Sequence, residues 1–182
     1  MNVVATAIPE VKLITPRVFS DNRGYFKETW NRQAFSDAGI DADFVQDNQS
    51  RSGARVIRGL HYQLKRPQGK LVRALSGGIY DVAVDLRRRS MTFGHWVGAH
   101  LTDRNHAMLW VPEGFAHGFC VTTEYAEIAY KCTDFYCPDD EHTIRWDDPD
   151  LKVEWPIAPG DAVSVSDKDG RGVAFKDAEY FP

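Results

Sequence analysis

Arg58 and His61 stand either side of Gly59-Leu60 in the run Val56-Ile57-Arg58-Gly59-Leu60-His61-Tyr62-Gln63. An imidazole can exchange protons near neutral pH, and a guanidinium fork suits the paired oxygens of a phosphate. Strict alternation puts Ile57, Gly59, His61 and Gln63 on one face of a strand and Arg58 on the other. A glycine inside a strand often marks a bulge. A bulge at Gly59 would turn Arg58 and His61 to the same side. A lone histidine on an apolar strand is more often a satisfied core residue than a catalyst, so other segments must decide.

Further polar residues fall on faces that read as core. In Phe115-Ala116-His117-Gly118-Phe119-Cys120-Val121, alternation sets His117 with Phe115, Phe119 and Val121, making it a buried or cavity-lining imidazole. Tyr130 shares its face with Ala126, Ile128 and Cys132. Lys70 lies with Val72 and Ala74. An ammonium there is costly unless it meets an anion; the alternative is a strand-end lysine snorkelling to water. His95, His100, His106 and His142 sit among turn or mixed residues and read as surface or structural.

The elements that must position these groups are mostly strands. A strand is expected over 11–15, closed by Pro16, then a turn at Ser20-Asp21-Asn22-Arg23-Gly24 and extended chain from Tyr25 to Trp30. A short helix over 31–38 has Asn31 as cap and Gly39 as stop. Residues 44–50 return to extended chain. The runs 70–75 and 79–86 flank Ser76-Gly77-Gly78 and read as a hairpin. Further runs over 95–101, 106–111, 115–122 and 125–133 are separated by short turns. The pattern predicts an all-β, antiparallel jelly-roll barrel with short flanking helices. A barrel of this size can hold a small ligand among its inward side chains. From Asp147 the tail is rich in Pro, Asp and Gly, including Pro156-Ile157-Ala158-Pro159-Gly160. Trp146, Leu151, Val153, Trp155 and Ile157 let it pack as a C-terminal wrap.

A length of 182 residues suits one domain spanning 1–182. A net charge of -4 argues against a nucleic-acid binder, and Arg87-Arg88-Arg89 reads as a solvated loop. Cys120, Cys132 and Cys137 form no CxxC pair, which suits free thiols in a reducing compartment. With no signal-like N-terminus and no membrane-length apolar span, a cytoplasmic protein is expected.

Pro112-Glu113-Gly114-Phe115-Ala116-His117 resembles the PxGxxH element of the cupin superfamily, whose barrels often hold a metal. Those proteins supply two histidines from an HxH motif, which here reads His61-Tyr62-Gln63. The amide is a poorer ligand than an imidazole for a transition metal. The fold signal therefore survives better than the metal signal.

A more specific likeness runs along nearly the whole chain. Arg58-Gly59-Leu60-His61-Tyr62-Gln63, Gln68-Gly69-Lys70-Leu71-Val72-Arg73, Asp81-Val82-Ala83-Val84-Asp85 and the segment 112–119 resemble successive motifs of the dTDP-4-dehydrorhamnose 3,5-epimerases. So do Tyr130-Lys131-Cys132-Thr133-Asp134, Ile144-Arg145-Trp146-Asp147-Asp148-Pro149 and Ser166-Asp167-Lys168-Asp169. The resemblance implies a homodimer of cupin-like barrels, free of metal and other cofactors, acting on dTDP-4-dehydro-6-deoxy-D-glucose. It implies His61 as base, Asp169 as its orienting partner, Tyr130 as proton donor on the opposite face and Lys70 near the C4 oxygen. It also implies substrate contacts from Arg23, Glu28, Gln46, Asn48, Arg58, His117, Glu141 and Lys168, with Tyr136 near the sugar or base. The chain departs from the family at Asp139-Asp140-Glu141, which lacks a histidine common before the glutamate, and at Asp167.

Those residue types suit the chemistry. C3 and C5 both flank a C4 ketone, so removing either hydrogen gives an enolate with its charge on O4. A lysine suits that oxygen, a neutral imidazole suits the abstraction, and inversion needs an acid on the reverse face. Three alternatives are an epimerase inverting C3 or C5 alone, a metal-dependent cupin enzyme, and a non-catalytic sugar-nucleotide binder.

Overall fold

Runs of β-branched and aromatic residues, broken by Gly, Asn, Asp and Pro, give this chain eleven strands among its described residues. The computed structural model describes residues 1–158 and 160–182; Pro159, in the tail segment named above, lies outside the described residues. The strands are β1 (Asn2–Ala5), β2 (Lys12–Thr15), β3 (Val18–Asp21), β4 (Gly24–Lys27), β5 (Gln46–Gly53), β6 (Ile57–Gln63), β7 (Lys70–Asp85), β8 (Trp96–Thr102), β9 (Met108–Val111), β10 (Phe115–Cys132) and β11 (Glu141–Thr143). Two short α-helices, α1 (Arg32–Asp37) and α2 (Asp167–Gly170), flank them. Asn31 caps α1 as its sequence implies: its side chain accepts the Ala34 N–H at 3.1 Å. No helix among the described residues is long and apolar enough to cross a membrane.

Nine strands form one antiparallel sheet in the order β1-β2-β9-β7-β10-β6-β11, with β5 added to β10 and β8 to β7. The result is the expected all-β, cupin-like jelly roll. β3 and β4 form a separate two-stranded ribbon. The principal core gathers Val72, Ile79, Leu101, Leu109, Phe119 and Ile128 from β7, β8, β9 and β10, with Tyr130 packed against it. A second cluster joins Leu60, Val84 and Ile144 to Leu151, Trp155, Phe175 and Phe181, so the tail does wrap onto the sheet. A third sets Phe35 of α1 against Ile14, Leu71 and Met108.

Two expectations about connectivity need correction. The segment 70–86 is no hairpin about Ser76-Gly77-Gly78: β7 runs unbroken through it. The runs 115–122 and 125–133 likewise belong to one strand, β10. The glycines serve a bend rather than a reversal. Gly77 has φ +68°, and a Cβ there would lie 2.1 Å from Tyr125 O. The β7–β10 ladder shifts register between Val121 and Ala126 at the same place. Both strands therefore kink together, as a bulge permits, and continue as partners. One end of β10 thus pairs with β6 and the other with β5, which brings residues far apart in sequence to a common interior.

Candidate active site

The bulge foreseen at Gly59 is present. The β6–β10 pairing passes from Phe119↔Arg58 to His117↔His61, so three steps on β6 match two on β10. Gly59 has φ +124°, and a Cβ on it would lie 2.6 Å from Gly118 Cα and 2.8 Å from His117 O. Only a pair of glycines lets the two backbones approach so closely. The extra residue returns Arg58 to the side of His61, and both line one cavity of about 330 Å³. Lys70, His117 and Tyr130 line it too, as do Gln46, Asn48, Tyr136 and Glu141.

His61 is held from the tail. Its Nε2 lies 2.6 Å from Oδ1 of Asp169, a buried residue of α2. Ser166 caps that helix by accepting the Asp169 N–H at 3.1 Å, and the Gly59 N–H donates to Asp169 Oδ2 at 3.4 Å. Burial works to raise the Asp169 pKa, but the hydrogen bond and charge of His61, with the Gly59 and Ser166 bonds, bring it below its ordinary value. The carboxylate therefore stays ionised and accepts from the ring N–H at Nε2, which fixes the orientation of the imidazole.

A second histidine–aspartate pair was not foreseen. His117 Nε2 lies 2.8 Å from Oδ1 of Asp81, and both residues are buried. Asp81 is two positions along β7 from Ala83, the cross-strand partner of His117, so both side chains stand on one face. The signal available in sequence was a carboxylate inside the apolar run Asp81-Val82-Ala83-Val84. Sequence reasoning weighed Gln63 only as a poor metal ligand, and passed over Ser52, whose Oγ accepts from Arg58 Nε at 3.0 Å, and Gln68 and Phe119 as members of the cavity wall.

Lys70 begins β7 opposite Cys132, with Val111 as its partner on the other side. Burial lowers its pKa from the ordinary lysine value, while Cys132, Asp81 and Glu141 pull it back up. Tyr130 lies between Asn48 on β5 and Val72 on β7. Burial chiefly raises its pKa, with Arg58 opposing. The cavity therefore presents a phenol that keeps its proton and an ammonium that is readier than usual to share one.

At the cavity mouth, Tyr136 donates from its hydroxyl to Glu141 Oε2 at 2.6 Å and from its backbone to Gln46 Oε1 at 2.9 Å. The Glu141 bond pushes the Tyr136 pKa up to about 12. Lys168 pairs with Glu141 from α2, outside the main cavity wall. Arg23 and Glu28 are not brought to the cavity. Arg23 sits at the β3–β4 turn, mostly exposed and forked onto Asp21, while exposed Glu28 accepts from Asn31 Nδ2. Among the described residues, no group of three or more His, Cys, Asp or Glu side chains is placed to hold a metal ion.

Two imidazoles, a phenol and an ammonium lining one cavity of such a jelly roll suit an enzyme of the cupin-like class. More narrowly, the chain belongs to the dTDP-4-dehydrorhamnose 3,5-epimerase family, whose sequence model matches residues 5–177. It is 55% identical over 183 residues to a dTDP-4-dehydrorhamnose 3,5-epimerase of Pseudomonas aeruginosa, covering 100% of both chains. It is 50% identical over 183 residues to the enzyme of that name from Shigella flexneri, covering 100% of this chain and 99% of the relative. The structure is similar to the dTDP-6-deoxy-D-glucose-3,5-epimerase of Legionella pneumophila in complex with dTDP-4-keto-L-rhamnose. That match has a TM-score of 0.94 and 45% identity, covering 98% of this chain and 94% of that one.

Proposed function

We propose that this chain is a dTDP-4-dehydrorhamnose 3,5-epimerase, inverting C3 and C5 of dTDP-4-dehydro-6-deoxy-D-glucose to give dTDP-4-dehydro-L-rhamnose. The observation that carries this reading is that His61, Lys70 and Tyr130 line a single cavity.

In this mechanism His61, held by Asp169, takes a hydrogen from a carbon beside the C4 ketone. The electron pair moves onto O4, and Lys70 stabilises that oxyanion, an effect commonly worth about 3 kcal/mol. Tyr130 delivers a proton to the opposite face of the same carbon, the enolate collapses to the ketone, and solvent restores both groups. The sequence repeats at the second carbon. Each acid or base contributes about 10²–10⁴-fold. His117, fixed by Asp81, adds a second imidazole to the cavity wall; Arg58 and Lys168 meet the diphosphate; Gln46 and Asn48 offer amide edges to thymine; Tyr136 and Glu141 border the sugar.

A homodimer belongs to the same proposal. The β3–β4 ribbon stands apart from the main sheet and exposes Phe19, Tyr25 and Phe26. A two-stranded ribbon is marginal alone. Docking it on a second copy would cover those rings and carry Arg23 and Glu28 toward the neighbour's cavity. We further propose one domain over 1–182, in the cytoplasm, where Cys120, Cys132 and Cys137 would remain the free thiols they are here, serving L-rhamnose supply for polysaccharide.

The test is product analysis by NMR after incubation with dTDP-4-dehydro-6-deoxy-D-glucose. Inversion at both carbons supports the proposal. Inversion at C3 alone assigns a mono-epimerase, and an unchanged sugar with bound ligand assigns a binding protein.

A further inference from the structure

Gln63 stands where an HxH pattern would carry its second histidine, and the mechanism above leaves it without a task. It is 3% exposed and in the cavity wall. All its polar atoms reach two loops at the cavity mouth. Nε2 donates to Arg66 O at 2.7 Å and to Phe135 O at 3.2 Å, while Oε1 accepts the Cys137 N–H at 2.9 Å. Gln63 thus holds the backbone on both sides of Tyr136. It also pairs in register with Glu141, the acceptor of the Tyr136 hydroxyl.

The rest of the loop is tied in the same direction. Gln68 Nε2 donates to Asp134 O at 2.8 Å, and Arg66 forks onto the Asp134 carboxylate. Tyr136 itself is 50% exposed, so little packing fixes its ring. Its place over the cavity depends on the hydrogen bonds that hold its neighbours. A side chain immobilised before the ligand arrives spares the ordering cost at binding.

We propose that Gln63 is a positioning residue for the bound nucleotide-sugar: it pre-sets the 134–137 loop so that Tyr136 meets Glu141 and Gln46 across the cavity mouth. The inference rests on the function proposed above and deepens it, assigning the amide to binding and not to proton transfer.

The test compares Gln63→Met, which keeps the shape and removes all three bonds, and Gln63→Asn, which shortens the reach. Thermal melting and circular dichroism check the fold. The expected result is a rise of about tenfold or more in KM, with kcat altered less than about threefold and the pH profile of kcat unmoved. Calorimetry with dTDP should show matching weakening, and amide exchange at residues 135–137 should accelerate in the unliganded protein. In a Tyr136→Ala background, either change should add little to KM, because the two residues act as one unit. A role confined to stability would leave KM unchanged in either background.

If Gln63→Met does not fold, Gln63→Asn carries the same comparisons. Failure of both to fold, an unchanged KM, a full effect without Tyr136, or a fall in kcat at constant KM overturns the assignment. A wild-type protein that neither binds dTDP nor turns over the sugar overturns the functional reading and this inference with it. An active wild type with unaltered Gln63 variants overturns the inference alone.

Discussion

Asp169 Oδ1 lies 2.6 Å from His61 Nε2, although 108 positions separate the two residues in the chain. The tail must therefore be folded back before the imidazole has a defined tautomer. That contact joins the fold of the last segment to the chemistry of β6.

Asp169→Asn should disable the base while keeping the architecture. An amide in place of the carboxylate permits the wrong ring orientation and cannot stabilise an imidazolium. Turnover should fall by about 10²-fold or more, with KM changing little and the fold retained. Steady-state kinetics and circular dichroism check this; near-normal kcat would remove Asp169 from the mechanism.

Lys70 gives the alkaline side of the pH profile its sign. Burial lowers its pKa from the ordinary lysine value, whereas burial raises that of Tyr130 above the ordinary phenol value. On raising pH, the lysine should lose its proton below the ordinary lysine range. Activity should decline with that loss, because a neutral amine meets O4 less well. Lys70→Arg should lower kcat and move the alkaline limb upward, since arginine stays charged. An alkaline limb unmoved by that change would assign it to another group.

Asp85 tests a structural carboxylate away from the cavity. It is buried on β7 and accepts from Arg87, Ser90 and Thr92. Burial pushes its pKa up, but those bonds win and lower it from 3.8 to about 2. A depressed folded pKa means stabilisation present above the unfolded value and lost as pH falls through the folded one. The difference corresponds to about 2 kcal/mol. Asp85→Asn should lower stability by about that much at pH 7, and the gap to wild type should narrow between pH 4 and 2. Denaturant titrations across that range check both statements.

Arg23 tests the dimer. If it serves the neighbour's cavity, mixing inactive Arg23→Ala and His61→Asn chains should rebuild one intact site per mixed dimer. Random reassortment should then restore about a quarter of wild-type activity. No recovery, with dimers confirmed by sedimentation, would keep Arg23 within its own chain or outside the site.

Much of the site was legible because strand periodicity is local. The faces of Lys70, His117 and Tyr130 followed from alternation, and Gly59 announced its bulge. Contacts set by tertiary register were not legible from residue pattern. Asp169 sits on a short helix in a Pro- and Gly-rich tail, and only family resemblance joined it to His61. Asp81 meets His117 through the pairing of β7 with β10. The diglycine misled because Gly77-Gly78 suits a hairpin turn and a shared kink equally well. Arg23 and Glu28 lie outside the cavity of this chain, Arg23 at the turn of a ribbon that forms a sheet of its own.

The central claim is that one cavity removes a hydrogen from the sugar and returns it from the reverse side, with His61 and Tyr130 dividing the task. Solvent deuterium uptake by the Tyr130→Phe variant tests that division most directly, followed by NMR at C3 and C5 of dTDP-4-dehydro-6-deoxy-D-glucose in D₂O. Deuterium should enter with largely retained configuration while inversion slows by about 10²-fold or more. Inversion at both carbons at the wild-type rate would contradict the account.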